Sequence, residues 1–226
     1  SGDPLEYGKL LVGKTILSSK GYGMFVDFYL SGNVIMNIGD GVSARYYNPG
    51  DKVPANYQLL LTFKDESFLV FTVAMYGFIS AYPDAVIDNK YYTISRESIS
   101  PLSDAYTEAE FEKLFAFAKK TLTAKALLAT EQRIPGVGNG VTQDILFNAG
   151  IHPKQKVFDL SDGQKGVLFK SLKDTLMAMT SGRGRDTQTD LYGNEGGYKT
   201  ILSSKTWKNP CPRCGSVIAV SYTHLR

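Results

Sequence analysis

The chain has 226 residues, 43% of them hydrophobic and 21% charged, with a net charge of +3 and two cysteines. That is the composition of a soluble globular protein, long enough for one large or two ordinary domains with ample core. No apolar run is long enough to span a bilayer and no basic-then-apolar leader opens the chain, so a membrane partner is excluded and a cytoplasmic location is expected.

The net charge hides an asymmetry. Residues 1–106 carry 8 Lys/Arg against 11 Asp/Glu, a balance of −3, and residues 107–226 carry 17 against 11, a balance of +6. The basic excess in the second half fits a polyanionic partner; a solvated basic face would have the same composition.

The first hundred residues read as β. Met24 to Leu30 and Val34 to Ile38 are short apolar runs joined by Ser31-Gly32-Asn33, a hairpin turn. Tyr57 to Phe63 and Phe68 to Val73 repeat the pattern around Lys64-Asp65-Glu66-Ser67. Two hairpins rich in Phe, Val, Ile and Tyr predict a sandwich or barrel over residues 1–97. Ser98 to Tyr106, with Ser100-Pro101, reads as a linker over 98–106.

The period then becomes helical. Thr107 with Glu110 makes a capping box ahead of the stripe Phe111, Leu114, Phe115, Ala118. A second helix is predicted from about Ala124 to Thr130 and a third from Asn139 to Asn148, ended by Gly150. Ser161 with Gln164 starts a fourth, with Val167, Leu168, Leu172, Leu176 and Met179 inward and Gly182 stopping it. These stripes are core. A polar, glycine-rich stretch follows, Gly182 to Gly197.

Between the second and third helices stands Ile134-Pro135-Gly136-Val137-Gly138-Asn139. A proline–glycine–glycine turn entering a helix leaves bare N–H groups pointing outward with the positive end of the helix dipole behind them. One phosphate of a nucleic-acid backbone suits that spot; the same glycines also serve a turn that merely connects helices. Near the end, Cys211-Pro212-Arg213-Cys214-Gly215 spaces two thiolates for one tetrahedral zinc. A redox pair is the rival, but that motif opens a helix after a strand, and nothing here reads so. Zinc needs four ligands; His224 is the one other candidate nearby.

A β-domain, a helical domain with a Pro-Gly-Val-Gly-Asn turn and a terminal Cys-x-x-Cys knuckle, in that order, resemble the formamidopyrimidine-DNA glycosylase/endonuclease VIII family. The stretches that carry the resemblance are Gln132 to Gly140, Asp144 to Pro153, Asp190-Leu191-Tyr192-Gly193, Gly196-Gly197-Tyr198 and Pro210 to Gly215, with a looser match at Val73-Ala74-Met75-Tyr76-Gly77. The resemblance implies an α+β multidomain fold: an N-terminal β-sandwich, incomplete here, a helix–two-turn–helix DNA-binding domain over 107–182, and a loop with a partial C-terminal zinc-finger hairpin over 183–218. It implies base-excision repair: a monomeric enzyme that removes oxidised bases from damaged DNA and cleaves the strand at the abasic site as an AP lyase. The family's nucleophile is the α-amine of an N-terminal proline, whose iminium on the sugar C1′ is an electron sink for β-elimination, with a neighbouring glutamate handling protons. The damaged nucleotide leaves the stack and a side chain fills the gap.

Carried over by position, Asn139 matches the asparagine that holds a phosphate beside the lesion, helped by the N–H groups of Gly138 and Gly140; an ordinary N-cap is the other reading of Asn139. Tyr76, with Met75 beside it, falls at the gap-filling wedge or is a buried strand aromatic. Arg183 and Arg185 lie in the loop over the extruded base or are plain solvent-facing charges. Lys199, Lys205 and Lys208 are candidates for tracking phosphates. Cys211 and Cys214 match the first pair of a structural zinc site.

Three departures follow from the same comparison. The chain opens at Ser1-Gly2-Asp3-Pro4, inside what would be the first domain, so the family's Pro-Glu start and the helix after it are expected to be absent, and neither Pro4 nor Glu6 takes a matching place. The lysine of an early strand turn is replaced: Lys20 lies nearby, and the best register puts Tyr22 or Gly23 there. Residues 219–226 match nothing in the family and read as a translated adaptor after a broken frame. A chain truncated at both ends is therefore expected, with the DNA-docking apparatus kept, weak zinc retention, and no covalent adduct with abasic-site DNA on borohydride trapping. A non-catalytic DNA-binding paralogue is the alternative.

Overall fold

The computed structural model describes residues 4–83, 87–116 and 118–218. The expectations for residues 219–226, His224 among them, lie outside the described residues. The chain forms two compact units.

The first takes the chain up to Ser98 together with Asp190–Gly193. It runs α1 (Pro4–Leu11), β1 (Ile16–Tyr22), β2 (Phe25–Leu30), β3 (Val34–Ile38), β4 (Val42–Tyr47), β5 (Leu59–Thr62), β6 (Phe68–Val73), β7 (Ile79–Pro83) and α2 (Lys90–Glu97). The strands make two antiparallel sheets, β1-β2-β3-β7 and β4-β6-β5. Both predicted hairpins form, and Gly32 and Asn33 take the left-handed φ that suits a tight hairpin. Phe28, Leu30, Val34, Met36 and Ile38 of one sheet meet Leu69 and Phe71 of the other, so the sandwich is real. Each such side chain, removed from water, contributes about 1.5–3 kcal/mol.

Two helices correct the all-β reading of this half. One is α1, where no helix was expected; Pro4 in its first turn lacks only an N–H that no helix uses. The other is α2, capped by Asn89, whose side chain accepts from the Tyr91 and Tyr92 N–H groups. Its buried residues are Tyr92 and Ser95, so no apolar stripe announces it.

The second unit takes Ile99–Thr189 and the chain from Asn194 onward. It holds α3 (Glu108–Ala116), α4 (Ala124–Ala129), α5 (Asn139–Ala149), a single 3₁₀ turn at Val157–Asp159, and α6 (Asp162–Ser181). Phe111, Leu127, Leu128, Ile134, Val137, Ile145, Leu146, Leu168 and Leu172 form its core. Thr107 Oγ1 accepts from Glu110 N–H at 3.4 Å, but the Glu110 carboxylate turns to Lys113, so only one arm of the predicted capping box closes. Ser161 and Gln164 close both. Gly150, at φ 67°, ends α5 as predicted, with Ile151 N–H returning to Leu146 C=O.

Val167 corrects the predicted stripe of α6: it is 51% exposed, whereas Leu168, Leu172, Thr175 and Met179 are buried. One residue is a 100° step, and Val167 lies on the shoulder of that face. Where α6 meets α5, polar side chains close the seam: Ser171 Oγ donates to Ile145 C=O at 2.7 Å and Asn148 Nδ2 to Thr175 Oγ1 at 3.0 Å.

Candidate nucleic-acid interface

The chain between α4 and α5 makes two turns in nine residues. Glu131 and Gln132 take left-handed φ, Arg133 folds back, and Gly136, at φ 85°, makes the second turn. Arg133 Nη1 donates to Ala126 C=O, Thr130 C=O and Thr130 Oγ1, which satisfies the carboxyl end of α4 and occupies the guanidinium. Ile134 and Val137 are buried and pin the turn to the core. Gly138 and Asn139 stay exposed.

The N-cap of α5 is Gly138, with no side-chain cap, and Asn139 is the first helical residue. The N-cap reading of Asn139 is thereby corrected. Its side chain has no partner among the described residues, nor do the N–H groups of Gly138, Asn139 and Gly140. Three successive amides therefore open to solvent at the positive end of an eleven-residue helix.

Arg185 closes one side of this opening. A Cβ on Gly140 would overlap its guanidinium, so the cation rests on bare helix backbone. Its Nε also donates to Gln188 at 3.4 Å. The loop that carries Arg185 is tied down: Gly197 N–H donates to Gly182 C=O, Tyr198 N–H to Gly184 C=O, and Asp186 N–H to Tyr198 C=O. Two backbones cross where a Cβ on Gly196 would run into Gly184, a close approach only glycine permits. Arg183, at φ 56°, stays exposed.

Sequence reasoning missed Asp144, which holds the segment beyond this loop. It is fully buried in α5, and its two oxygens accept from Ile201 N–H at 3.0 Å and Leu202 N–H at 2.8 Å. Burial, the Asp144 charge and a hydrogen bond to Asp144 push the Tyr198 phenol up to about 12. A carboxylate one step from the apolar run Ile145-Leu146 was the available signal. Asp186 is buried too; burial raises its carboxyl, but the hydroxyl and amide of Thr200 and the ammonium groups of Lys205 and Lys199 outweigh that and hold it below the usual range. Lys205 is spent on Glu195 and the Asp186 carbonyl, and Lys208 lies over the Trp207 ring.

In the first unit, Met75 and Tyr76 are 92% and 94% exposed, so Tyr76 is not a buried strand aromatic. Behind them Ala74 N–H donates to Gly41 C=O and Gly77 N–H to Ala74 C=O. A Cβ on Gly77 would stand 2.7 Å from the Gly41 carbonyl carbon, so two turns are pressed backbone to backbone. Met75 holds φ 50°, a strain of about 1 kcal/mol or more for a residue with a Cβ.

Cys211 and Cys214 lie on a small hairpin, closed by Cys211 N–H to Ser216 C=O, Gly215 N–H to Cys211 C=O and an antiparallel bridge between Pro210 and Val217. The backbone N–H and hydroxyl of Ser216, then Cys211, lower the Cys214 thiol, which favours the thiolate. Arg213 reaches back to α5, its guanidinium 4.7 Å from the Phe147 ring. Among the described residues no group of three or more His, Cys, Asp or Glu could hold a metal ion, so the donors present are two and do not close a zinc shell. No described helix is long and apolar enough to cross a membrane.

No family model matches the chain. It is similar to formamidopyrimidine-DNA glycosylases along almost its whole length: 27% identical to that of Mycoplasma mobile, over 94% of this chain and 78% of the relative. Against that of Cytobacillus firmus the identity is 26%, over 96% and 80%. Against that of Streptococcus agalactiae it is 29%, over 92% and 77%. The fold matches the MutM (Fpg) protein of Thermus thermophilus with a TM-score of 0.73 at 23% identity, over 92% of this chain and 78% of that one. It matches the Lactococcus lactis Fpg in complex with DNA containing an abasic site with a TM-score of 0.77 at 18% identity, over 94% and 79%.

Proposed function

We propose that the protein is a base-excision repair enzyme, a DNA glycosylase that binds damaged DNA, with AP-lyase strand cleavage by β-elimination as its second activity. The resemblance to formamidopyrimidine-DNA glycosylases supports the class, and one observation carries the reading on this chain. At the mouth of α5, three amides that meet no acceptor among the described residues stand beside Asn139, which has no partner among them either, and the Arg185 guanidinium. A phosphodiester supplies the acceptors those donors lack, and its charge suits both the helix end and the cation.

Tyr76, with Met75, is the wedge in this reading, a large side chain held in water that gains by entering a gap between bases. Arg183 is assigned to the loop over the extruded base. Cys211 and Cys214 are assigned to half of a structural zinc site.

The test is a pair of titrations by fluorescence anisotropy. The protein should bind a duplex carrying a tetrahydrofuran abasic-site analogue at least about tenfold more tightly than the undamaged duplex, a gap of about 1.4 kcal/mol. Tyr76→Ala should erase most of that preference and leave the undamaged duplex unaffected. Equal affinity of the parent protein for both duplexes would remove the damage-recognition reading.

Gly140→Ala supplies a second check. Alanine favours the helix by roughly 0.5–1 kcal/mol over glycine, so the melting temperature should not fall. The new methyl must displace Arg185, and duplex affinity should drop about threefold to tenfold. Unchanged affinity would free Arg185 from the phosphate.

A further inference from the structure

The outer face of the first sheet carries a polar row. Lys20, Asp27, Asn37 and Ser80 stand opposite one another across β1, β2, β3 and β7. Asp27 has no exposed surface. It accepts from Asn37 Nδ2 and from the Tyr92 hydroxyl at 2.5 Å each, and from the Tyr29 hydroxyl at 3.4 Å. Its strand neighbour Lys20, the expected ion-pair partner, does not reach it.

Lys20 instead places Nζ 5.0 Å from the centre of the Tyr22 ring. Arg96, from α2, brings its guanidinium carbon to 5.3 Å from the same ring and 5.5 Å from Tyr92, with Nη1 donating to the Tyr92 hydroxyl at 3.3 Å. Tyr22 and Tyr92 meet edge to face, and the Tyr22 hydroxyl shares a hydrogen bond with Tyr29. Burial, that hydrogen bond and the charge of Asp27 push the Tyr29 phenol up to about 12, so that hydroxyl stays neutral at physiological pH.

Both cations are exposed, and neither makes an ion pair among the described residues. This happens in the half of the chain where acids outnumber bases by 11 to 8, so partners were not scarce. The one carboxylate of the row is sealed by neutral donors. Two like charges gathered on one ring repel each other until an anion joins them, and cation–π attraction of about 0.5–1 kcal/mol at exposed sites holds them in place meanwhile.

We infer that Lys20, Tyr22 and Arg96 form a second phosphate-binding site, on the first unit, which takes one phosphodiester of the DNA. The site rests on the DNA-binding reading above and is separate from the mouth of α5. Neither cation stands at the register where the family likeness expects a lysine. Tyr22 is the platform that orients both, and Arg96 is held more firmly, by two rings and a hydroxyl.

The test measures affinity for the tetrahydrofuran-site duplex as a function of salt, for the parent protein, Lys20→Gln, Arg96→Gln, the double variant and Arg96→Lys. Taking one cation away from the phosphate should flatten the plot of log K against log salt by about 1. The double variant should lose about 2 from the slope and bind about 30-fold more weakly near 0.1 M salt, with an unchanged melting temperature; Arg96→Lys should restore most of the slope. A double variant with the parent's slope and affinity would overturn the site and leave the repair function standing. A parent protein indifferent to the duplex would overturn both. If Arg96→Gln melts early, Lys20→Gln and Arg96→Lys decide: a parental slope for Lys20→Gln, or a slope that collapses on the conservative change, counts against the site.

Discussion

Asn139→Asp is expected to weaken binding of an abasic-site duplex by about 100-fold while the protein stays at least as heat-stable as the parent. The two effects have opposite sign for one reason. Asn139 is the first residue of α5, and a carboxylate in the first turn interacts favourably with the helix dipole, by about 0.3–1 kcal/mol. In the proposed complex the same carboxylate faces the phosphate. It replaces a donor by an acceptor, losing a hydrogen bond to a charged group worth about 1.5–3 kcal/mol, and adds repulsion between two anions. A hundredfold loss is about 2.7 kcal/mol, within that range. Anisotropy titration and calorimetry on the same preparation check it. Loss of both binding and stability would make Asn139 a structural residue; loss of neither would take the phosphate away from this turn.

Asp144→Ala is expected to lower unfolding free energy by about 3 kcal/mol. No surface of Asp144 is exposed, and both oxygens are used, on the amides of Ile201 and Leu202. Alanine would strand those amides, with the Tyr198 phenol close by, and each unsatisfied buried donor costs about 1–3 kcal/mol. Asp144→Asn should recover little, since an amide offers one acceptor where two are needed and turns an N–H₂ toward an N–H. Denaturant unfolding gives the total, and hydrogen exchange at Ile201 and Leu202 gives the place. Exchange at those two amides that stays slow in the alanine variant would mean the carboxylate is not what protects them.

The sandwich was legible because its hairpins are short apolar runs set on either side of strong turn chemistry, as at Ser31-Gly32-Asn33. The helices of the second unit were legible through the caps at Ser161 and Gly150 and through stripes that a helix needs to bury. What escaped is what lacks an apolar pattern. The helix α2 buries a tyrosine and a serine, and Val167 looked like core because residue type alone does not distinguish the shoulder of a stripe from its centre. At the site, the turn before Asn139 was readable from proline and glycine alone. The seat of Arg185 on Gly140 was not, because the two lie 45 residues apart and only the folded loop brings them together. The partners of Asp144 and the tyrosine cage around Arg96 were invisible for the same reason.

The crossing of Gly41 and Gly77 has a consequence for how such a protein can change. The platform under residues 75 and 76 is main chain on main chain, and the two side chains above it stand almost wholly in water. Exchanging Tyr76 disturbs no packing, so that position can be remodelled at little cost to folding, while the left-handed φ of residue 75 narrows the choice beside it. Novelty at the proposed wedge is uncoupled from the integrity of the scaffold, and the glycines underneath are what make it so.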